Sequence, residues 1–575
     1  MNKIRPFILA VAVVISALLA YGVFTQPRPQ SADSEGFSAE RVVKDIEVIS
    51  KEHHSVAHPD ERAAVREYLV ARLNDLGADT VRLFQYDSLV GPQNRHVEYT
   101  FDACNVLADF GAPGDSLGVA PEMLLVAHYD SRYSQPFGRD TVWSYGAADD
   151  GYGVGVILEC VSHLVKERPQ WKQNLKVLFT DAEEVGMMGM KAMWENDREV
   201  FDNVGFVMNV EARGPKGPAL LFEACPGNSK VMKLYKDAAK YPYTYSLTTV
   251  VYGFMPNFTD FTVIKDSIPG LNFSTIADVN HYHTHLDNFG NVNPKSIQHY
   301  GTQVLPVAQA YLTGEDYSDV NALKSDKDAV NFTVPGLGML NFSKIGYTIF
   351  SVSVFVVFLL LLGLEGIRGR LSAPRVFRSS LVLLACSVAA LLVGELVAWL
   401  ACLASGVAFK PFGIVQGVMS DNVLMIVSMV LMVAACLTVY LSGRRSAARK
   451  SDSSIRTSAL PKAVRDYALN ILYAVMAVML LASAVLLGVI GENMMFLIPL
   501  FCATGGVVLY RLTGLRLWLL AAVVLVLLHA FSFYYALAMA LTIGALGAVM
   551  MLAFFVVMLL IPLSDLYLMQ PRKKA

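Results

Sequence analysis

The stretch MLLVAHYDS (123–131) decides the fold class, because a short apolar run ends there in polar residues. It is followed by GVGVILECVSHLVKE (153–167), whose apolar residues have helical spacing, and by a second apolar run, LKVLFT (175–180). The order strand, helix, strand is typical of a parallel sheet covered by helices. The runs FVMNV (206–210) and GPALLFEA (217–224) add further strands. The sequence therefore predicts an α/β domain with a mixed, largely parallel central sheet flanked by helices.

The chain divides into segments that differ in charge and hydropathy. Its formal net charge is −2, but residues 26–346 hold 28 Lys/Arg against 42 Asp/Glu, and residues 347–575 hold 17 against 7. This division excludes a uniform soluble globule, a disordered chain and a fibrous protein. The acidic middle segment also argues against a nucleic-acid partner, because phosphate binding needs clustered cations.

Eight apolar runs are long enough to cross a lipid bilayer, which takes about 20 residues each. They lie at 7–25, 347–363, 379–404, 422–442, 467–490, 493–510, 516–533 and 536–563. The first run also resembles a signal-peptide core, but no small-x-small cleavage site follows it, which favours an uncleaved anchor. We predict an anchor at 1–25, the α/β domain at 36–315, a linker at 316–346 and a seven-span α-helical membrane domain at 347–571.

The placement of Lys and Arg predicts the orientation of these spans, because cytoplasmic loops favour cations. With the N-terminus inside, the loops 364–378 and 443–466 carry four and seven cations, and the chain ends in Arg572, Lys573 and Lys574. The outer loops between spans carry one cation, Lys410. We expect both termini to be cytoplasmic and the α/β domain to be extracytoplasmic. A bacterial inner membrane is favoured, or an endoplasmic-reticulum or vacuolar membrane in a eukaryotic host.

Polar residues of one chemical kind follow the apolar runs. The five fragments are AHYDS (127–131), GAADD (146–150), DAEEVG (181–186), NVEARG (209–214) and YHTHLD (282–287). In open α/β sheets, sites form beyond the carboxyl ends of the strands, so these fragments are expected to converge. Histidine and carboxylate ligands without cysteine suit zinc or a similar divalent ion. The fragments together offer enough N and O ligands for two metal ions.

This ordered series of fragments resembles the co-catalytic di-zinc aminopeptidases related to bacterial leucyl aminopeptidase, over about residues 38–315. The multi-span tail is similar to a membrane-bound branch of that family, the endoplasmic-reticulum metallopeptidase and vacuolar membrane protease type. The resemblance implies a zinc-peptidase fold, a peptide substrate, a lipid bilayer as surroundings and two Zn²⁺ ions.

The resemblance also implies roles for individual residues. One zinc would be held by His128, Asp149 and Glu211, and the other by Asp149, Glu184 and His283, with Asp149 as the bridge. Glu183 would be the general base that acts on the metal-activated water. Asp130 would orient His128 by a hydrogen bond.

Several alternatives stay open at this stage. Asp150 adjoins the proposed bridge, His281 and His285 flank His283, and Asp260 resembles an acid at the rim of the family's site. A glutaminyl-cyclase-like aminoacyltransferase and a non-catalytic membrane scaffold with a protease fold compete with the aminopeptidase reading. Formation of a homo-oligomer through the membrane domain is a further open alternative. The sequence also leaves undecided whether the amino or the carboxyl end of a peptide is cleaved.

Overall fold

A computed structural model describes residues 4–22, 27–91, 100–115, 119–137, 140–253, 257–418, 421–452 and 460–569. The chain forms two compact units. The helical unit comprises Met1–Val23, Val334–Gly336 and Ile345–Ala575, and its first described element is helix α1 (Ile4–Gly22). The sheet unit comprises Phe24–Thr333 and Leu337–Lys344.

The sheet unit contains the predicted α/β architecture. Its helices are α2 (Ala39–Ile49), α3 (Pro59–Asp75), α4 (Gly151–Leu164), α5 (Met188–Asn196), α6 (Ser229–Ala238), α7 (Ser246–Gly253), α8 (Asp260–Ile264) and α9 (Pro294–Thr313). The strands of its main sheet are β1 (Thr80–Val90), β2 (Thr100–Phe110), β3 (Glu122–His128), β6 (Asn174–Thr180), β7 (Val204–Ala212), β8 (Lys216–Ala224) and β9 (Gly270–Ala277), with a small pair β4 (Gln135–Phe137) and β5 (Asp140–Val142) between them in sequence.

The main sheet has seven strands in the order β1-β2-β6-β3-β7-β9-β8. Its centre is parallel, because β3 pairs in parallel with β6 and β7, and β7 pairs in parallel with β9. Strands β1, β2 and β8 pair antiparallel at the two sides. The central strands β3, β6 and β7 are buried along their whole length, as expected of strands covered on both faces. The mixed, largely parallel sheet is therefore confirmed, and the carboxyl ends of its four parallel strands share one edge.

The segment at 316–346, for which we predicted a linker, contains the strand pair β10 (Ala329–Val334) and β11 (Gly338–Ser343). The two strands flank Pro335-Gly336-Leu337, and Gly336 adopts φ +78°, a conformation that suits glycine. Alternating apolar residues around this turn are a hairpin pattern, so a strand signal was present in the sequence.

The helical unit confirms the count of eight candidate spans. Besides α1, seven helices are long and apolar enough to cross a membrane: α10 (Lys344–Ile367), α11 (Ala373–Ser405), α12 (Asp421–Asp452), α13 (Leu460–Ile490), α14 (Met494–Thr513), α15 (Leu517–Ala540) and α16 (Leu546–Leu568). The turn expected near 534–535 lies after Ala540 instead. The segment FSFYYALAMA (531–540) has no glycine or proline to end a helix, and the first glycine is Gly544.

Polar side chains join particular helix ends within the helical unit. Glu365, at the end of α10, accepts hydrogen bonds from Arg370 (3.0 Å) and from Arg511 at the end of α14 (2.8 Å). Asp565 of α16 forms an ion pair with Arg444 of α12, with a distance of 3.0 Å between Asp565 Oδ2 and Arg444 Nε. The predicted cytoplasmic cations Arg456 and Arg572–Lys574 lie outside the described residues.

Candidate metal centre

His128 is the last residue of β3, so its ring lies at the shared carboxyl edge of the sheet. The ring is buried, and its Nδ1 lies 3.0 Å from the backbone oxygen of Asp130 and 3.4 Å from that residue's Oδ1. A carbonyl oxygen accepts a hydrogen bond, so in the neutral ring Nδ1 carries the proton and Nε2 has the lone pair that a metal needs. That Nε2 lies 3.3 Å from Asp149 Oδ1 and 3.5 Å from Glu211 Oε2.

Asp149 and Asp150 are adjacent buried acids with different partners, and the peptide bond that joins them is cis. Asp150 is the N-cap of α4: its Oδ1 accepts from the backbone N–H of Gly153 at 2.9 Å, and its Oδ2 accepts from that of His128 at 3.3 Å. Both of its oxygens are therefore occupied by backbone groups. Asp149 instead points Oδ1 at His128 and Oδ2 at His283 Nε2, which is 3.2 Å away.

The DAEEVG turn after β6 holds the two adjacent glutamates. Asp130 binds this turn, because its Oδ1 accepts from the backbone N–H of Glu183 at 2.9 Å and its Oδ2 from that of Glu184 at 3.3 Å. Glu184 is buried and its Oε2 lies 3.0 Å from His283 Nε2. Glu183 is the more exposed member of the pair.

Glu211 comes from β7, two strands away from the glutamate turn in the sheet order. Its Oε1 accepts a hydrogen bond from Asn209 Nδ2 at 3.0 Å, which leaves Oε2 directed to His128. Tyr300 donates its hydroxyl to the backbone oxygen of Glu211 and so fixes the strand at this point.

His283 arrives on the loop after β9 with a left-handed backbone, φ +62°. This conformation is uncommon for a residue other than glycine and is found at sites where the surrounding structure imposes it. The ring stacks on that of Tyr282, with centroids 3.6 Å apart. The loop is fixed by Asp287, which accepts backbone N–H groups of Ala148 (2.7 Å) and Asp149 (3.2 Å).

The donor set of histidine nitrogens and carboxylate oxygens fits divalent cations such as zinc. Ligand atoms of His128, Asp149 and Glu184 lie within 4.8 Å of one another, and so do those of His128, Asp150 and Glu211. Asp149 Oδ2 and Glu184 Oε1 are buried without a hydrogen-bond partner among the described residues. Buried carboxylate oxygens without partners are costly unless a cation neutralises them. The hydrogen bonds of Asp150 make it a helix cap, whereas Asp149 directs its two oxygens at the two histidines.

The electrostatics of the cluster also suit a cation. Burial raises the pKa of Glu183 well above its usual value, and the neighbouring carboxylates of Glu211 and Asp260 add to that shift. Burial lowers the pKa of His128, but three surrounding acids reverse the effect and raise it well above 6.5. Burial acts in the opposite sense on Glu184, where His283 and Arg132 overcome it and lower the pKa. The site thus has an excess of buried negative charge.

The structure brings all seven sequence-predicted site residues together at the carboxyl edge of the sheet: His128, Asp130, Asp149, Glu183, Glu184, Glu211 and His283. Asp260 is buried rather than at a rim, and accepts a hydrogen bond from the hydroxyl of Thr180. His285 is exposed and His281 is partly exposed.

Sequence reasoning assigned no role to three residues that support the site. Asp287 holds the backbone of Asp149, Arg132 donates to the backbone oxygen of Glu184, and Tyr282 stacks on His283. Each lies inside or next to a quoted fragment, which is the signal that could have found it. Their contacts with backbone groups and rings depend on the tertiary fold and cannot be derived from spacing.

Comparison with known proteins agrees with this description. Residues 105–308 match the family model described as Peptidase family M28. The chain is 28% identical over 263 residues to the vacuolar membrane protease of Candida tropicalis, and 26% identical over 260 residues to a Caenorhabditis elegans protein named as endoplasmic reticulum metallopeptidase 1-A. Each alignment covers 44% of this chain and 27% of the relative, so the chain spans about a quarter of the relatives' length. The predicted resemblance, to this peptidase family and to relatives named as membrane-bound peptidases, is confirmed.

Solved structures match about half of the chain. A Zn-dependent exopeptidase from Parabacteroides distasonis is 20% identical, with a TM-score of 0.37, and the match covers 47% of this chain and 98% of that one. A leucine aminopeptidase precursor from Bacteroides thetaiotaomicron is 19% identical, with a TM-score of 0.37 over 50% of this chain and 100% of that one.

Proposed function

We propose that the protein is a membrane-anchored zinc-dependent exopeptidase, specifically an aminopeptidase. The premise is that residues 105–308 match peptidase family M28. The observation that supports this most strongly is the position of Asp149, whose two oxygens face His128 and His283 separately. One carboxylate facing two histidines is the arrangement that a bridged pair of ions needs. His128 and Glu211 would complete one ion's ligands, and Glu184 and His283 the other's.

The chain's own residues then divide the chemistry. The chemistry that bound zinc supplies is polarisation of the scissile carbonyl and a lowered pKa for water at neutral pH. Glu183 is adjacent to the ligand Glu184 but is not itself paired with either histidine, so it is available to take a proton from the attacking water. The same carboxyl then gives that proton to the amine that leaves. Asp130 holds both glutamates through their backbone N–H groups and keeps this geometry.

The helical unit supports the membrane part of the proposal. Arg5, at the start of α1, donates to the backbone oxygen of Met569 after α16 (3.1 Å), and Glu365 pairs with Arg370 and Arg511. Each of these contacts joins helix ends for which the Lys/Arg distribution predicts the cytoplasmic side. We therefore propose that the chain crosses the membrane an odd number of times between the sheet unit and each terminus, and that both termini are cytoplasmic.

Replacing Glu183 tests the proposed base. The zinc-loaded Glu183→Gln variant should retain its metal but lose about 100-fold or more in kcat on a peptide substrate, because the amide cannot take a proton. The matched control is Glu195→Gln, at an exposed position on α5. Steady-state kinetics and zinc analysis of the detergent-solubilised protein give both readouts.

The same experiment distinguishes the competing functions. Full turnover by Glu183→Gln would contradict the assignment of the base, and a wild-type protein without any turnover would favour the scaffold. Cyclisation of an N-terminal glutaminyl peptide, instead of release of its first residue, would favour the aminoacyltransferase. One zinc ion per chain would contradict the bridged pair.

A further inference from the structure

Arg213 follows β7 directly and lies two residues after Glu211. Its Nε and Nη2 atoms are buried and have no hydrogen-bond partner among the residues that the structure describes. Among these described residues, no carboxylate oxygen lies within 4.0 Å of a guanidinium nitrogen of Arg213. The guanidinium group therefore has two buried nitrogens without a partner and no carboxylate at ion-pair distance among the described residues, and Asp149 acts on it only from farther away.

The other arginines near the site differ in this respect. Arg62 Nη1 lies 3.2 Å from Asp181 Oδ1, and Arg132 Nη1 lies 3.4 Å from Glu184 Oε2. An arginine does not lose its proton in proteins, so burial without a counter-ion cannot be relieved by neutralisation. Leaving a buried charge unpaired is costly, and the cost indicates that a partner of opposite charge arrives from outside.

The position of Arg213 places that partner beside the candidate metal centre. Its Cζ lies 5.9 Å from the centroid of the Tyr282 ring, and that ring stacks on His283 at 3.6 Å. The guanidinium and the imidazole that would bind metal are thus both neighbours of Tyr282. An anion bound by Arg213 would therefore lie about one or two residues along the substrate from a peptide bond held at the candidate metal centre.

We propose that Arg213 binds a carboxylate of the substrate and that this selects peptides carrying a carboxylate close to the scissile bond. The planar guanidinium forms two parallel N–H···O bonds with a carboxylate, a geometry that a neutral amide cannot satisfy equally well. The carboxylate is either the C-terminal α-carboxylate of a dipeptide or the side chain of an acidic residue next to the scissile bond. This inference rests on the proposed peptidase function.

Three substrates separate the two sources: Leu-Ala, Leu-Ala-amide and Leu-Glu-amide. Hydrolysis is measured for the full-length zinc-loaded wild type, Arg213→Gln, Arg213→Lys and the control Arg198→Gln. Arg198 is also an arginine stacked on an aromatic ring, with Cζ 3.3 Å from the Trp194 centroid, but it is exposed. We expect Arg213→Gln to lower kcat/KM for the carboxylate substrate by about 10- to 100-fold, mainly through KM, and to leave Leu-Ala-amide unchanged. Arg213→Lys should recover part of the loss.

Binding gives a readout without turnover. Calorimetric titration with Leu-Ala and Leu-Glu-amide is carried out in the Glu183→Gln variant, with and without Arg213→Gln. For the substrate that supplies the carboxylate, Arg213→Gln should weaken binding by a factor similar to the loss in kcat/KM. Loss on Leu-Ala identifies the α-carboxylate, and loss on Leu-Glu-amide identifies the side chain.

The outcomes also separate this inference from the proposed function. An equal loss on all three substrates would overturn the inference, because Arg213 would then only support the Tyr282–His283 loop, while hydrolysis of Leu-Ala-amide by the wild type would still support the peptidase. Absence of hydrolysis of every peptide by the wild type would overturn both.

Discussion

Asp149 and Asp150 have the same side chain and adjacent positions, yet their contacts predict different consequences of mutation. Asp149→Asn should lower the bound zinc by at least one ion per chain, because an amide is a poor ligand between two cations. Asp150→Asn should keep its zinc, because asparagine also caps helices well and the substitution removes only the longer hydrogen bond, that from the backbone N–H of His128. Metal analysis after dialysis against a fixed free zinc concentration measures both.

Each variant serves as the control for the other, since they change the same atoms one residue apart. Equal zinc loss in both variants would contradict the assignment, and it would favour a site in which Asp150 also binds metal with His128 and Glu211.

His299 in helix α9 predicts a pH dependence of stability for the sheet unit. Its Nδ1 accepts from the backbone N–H of Ala219 in β8 (2.9 Å), and its Nε2 lies 3.1 Å from the backbone oxygen of Tyr241. Burial lowers the pKa of His299 from 6.5 to about 4, against the raising effect of Tyr241. The unfolded chain therefore binds a proton between these values while the folded chain does not, so stability is full above pH 6.5 and falls as the pH is lowered towards 4.

At pH 5 this loss amounts to about 2 kcal/mol. His299→Gln keeps a donor and an acceptor but cannot titrate, so its stability relative to wild type should rise between pH 7 and pH 5. Hydrogen exchange of the β8 and α9 amides, compared between the two proteins at each pH, measures the difference. A constant difference across that range would show that His299 titrates normally in the folded chain.

The contact between helices α11 and α16 depends on two glycines. A Cβ atom on Gly547 would lie 2.5 Å from the backbone oxygen of Leu391, and one on Gly394 would lie 2.5 Å from the Cα of Gly547. Small residues let helices approach closely in membranes. Gly547→Leu should therefore destabilise the helical unit by about 1–3 kcal/mol through overpacking.

Gly363 in α10 is the matched control, because nothing lies within 4 Å of a Cβ built there. Thermal unfolding in detergent, followed by size-exclusion chromatography, should give a lower midpoint for Gly547→Leu than for wild type and Gly363→Leu. Similar midpoints for all three proteins would mean that the helices adjust at this crossing.

The elements predicted from sequence and those missed differ in a physical way. Strands β3, β6 and β7 are continuous apolar runs because both faces of the sheet are covered, and such runs are evident without a partner. Strand β1 lies at the side of the sheet with partly exposed residues, so its sequence, TVRLFQYDSLV, carries charges and gives a weak signal. The convergence of the proposed ligand residues was predictable because they follow strand ends, whereas their individual roles were implied by the family resemblance. Arg213 and Asp287 were not, because their roles depend on what their side chains contact.

The predicted orientation of the whole chain in a membrane rests on the cation distribution and can be tested directly. An epitope inserted after Lys410 should be accessible from the side that holds the sheet unit, and one inserted after Arg370 should be accessible only from the opposite side. Antibody binding to sealed vesicles before and after permeabilisation distinguishes the two. Accessibility of both epitopes from one side would contradict the predicted orientation.

The five proposed ligands all lie between residues 128 and 283, within the stretch that separates helix α1 from helix α10. None of the eight candidate spans interrupts this stretch in the described residues. Whatever the arrangement of the remaining helices, we therefore expect all five proposed ligands to lie on the same side of the membrane. We then expect the zinc concentration of the compartment on that side, and not that of the other, to set how much of the protein carries its metal.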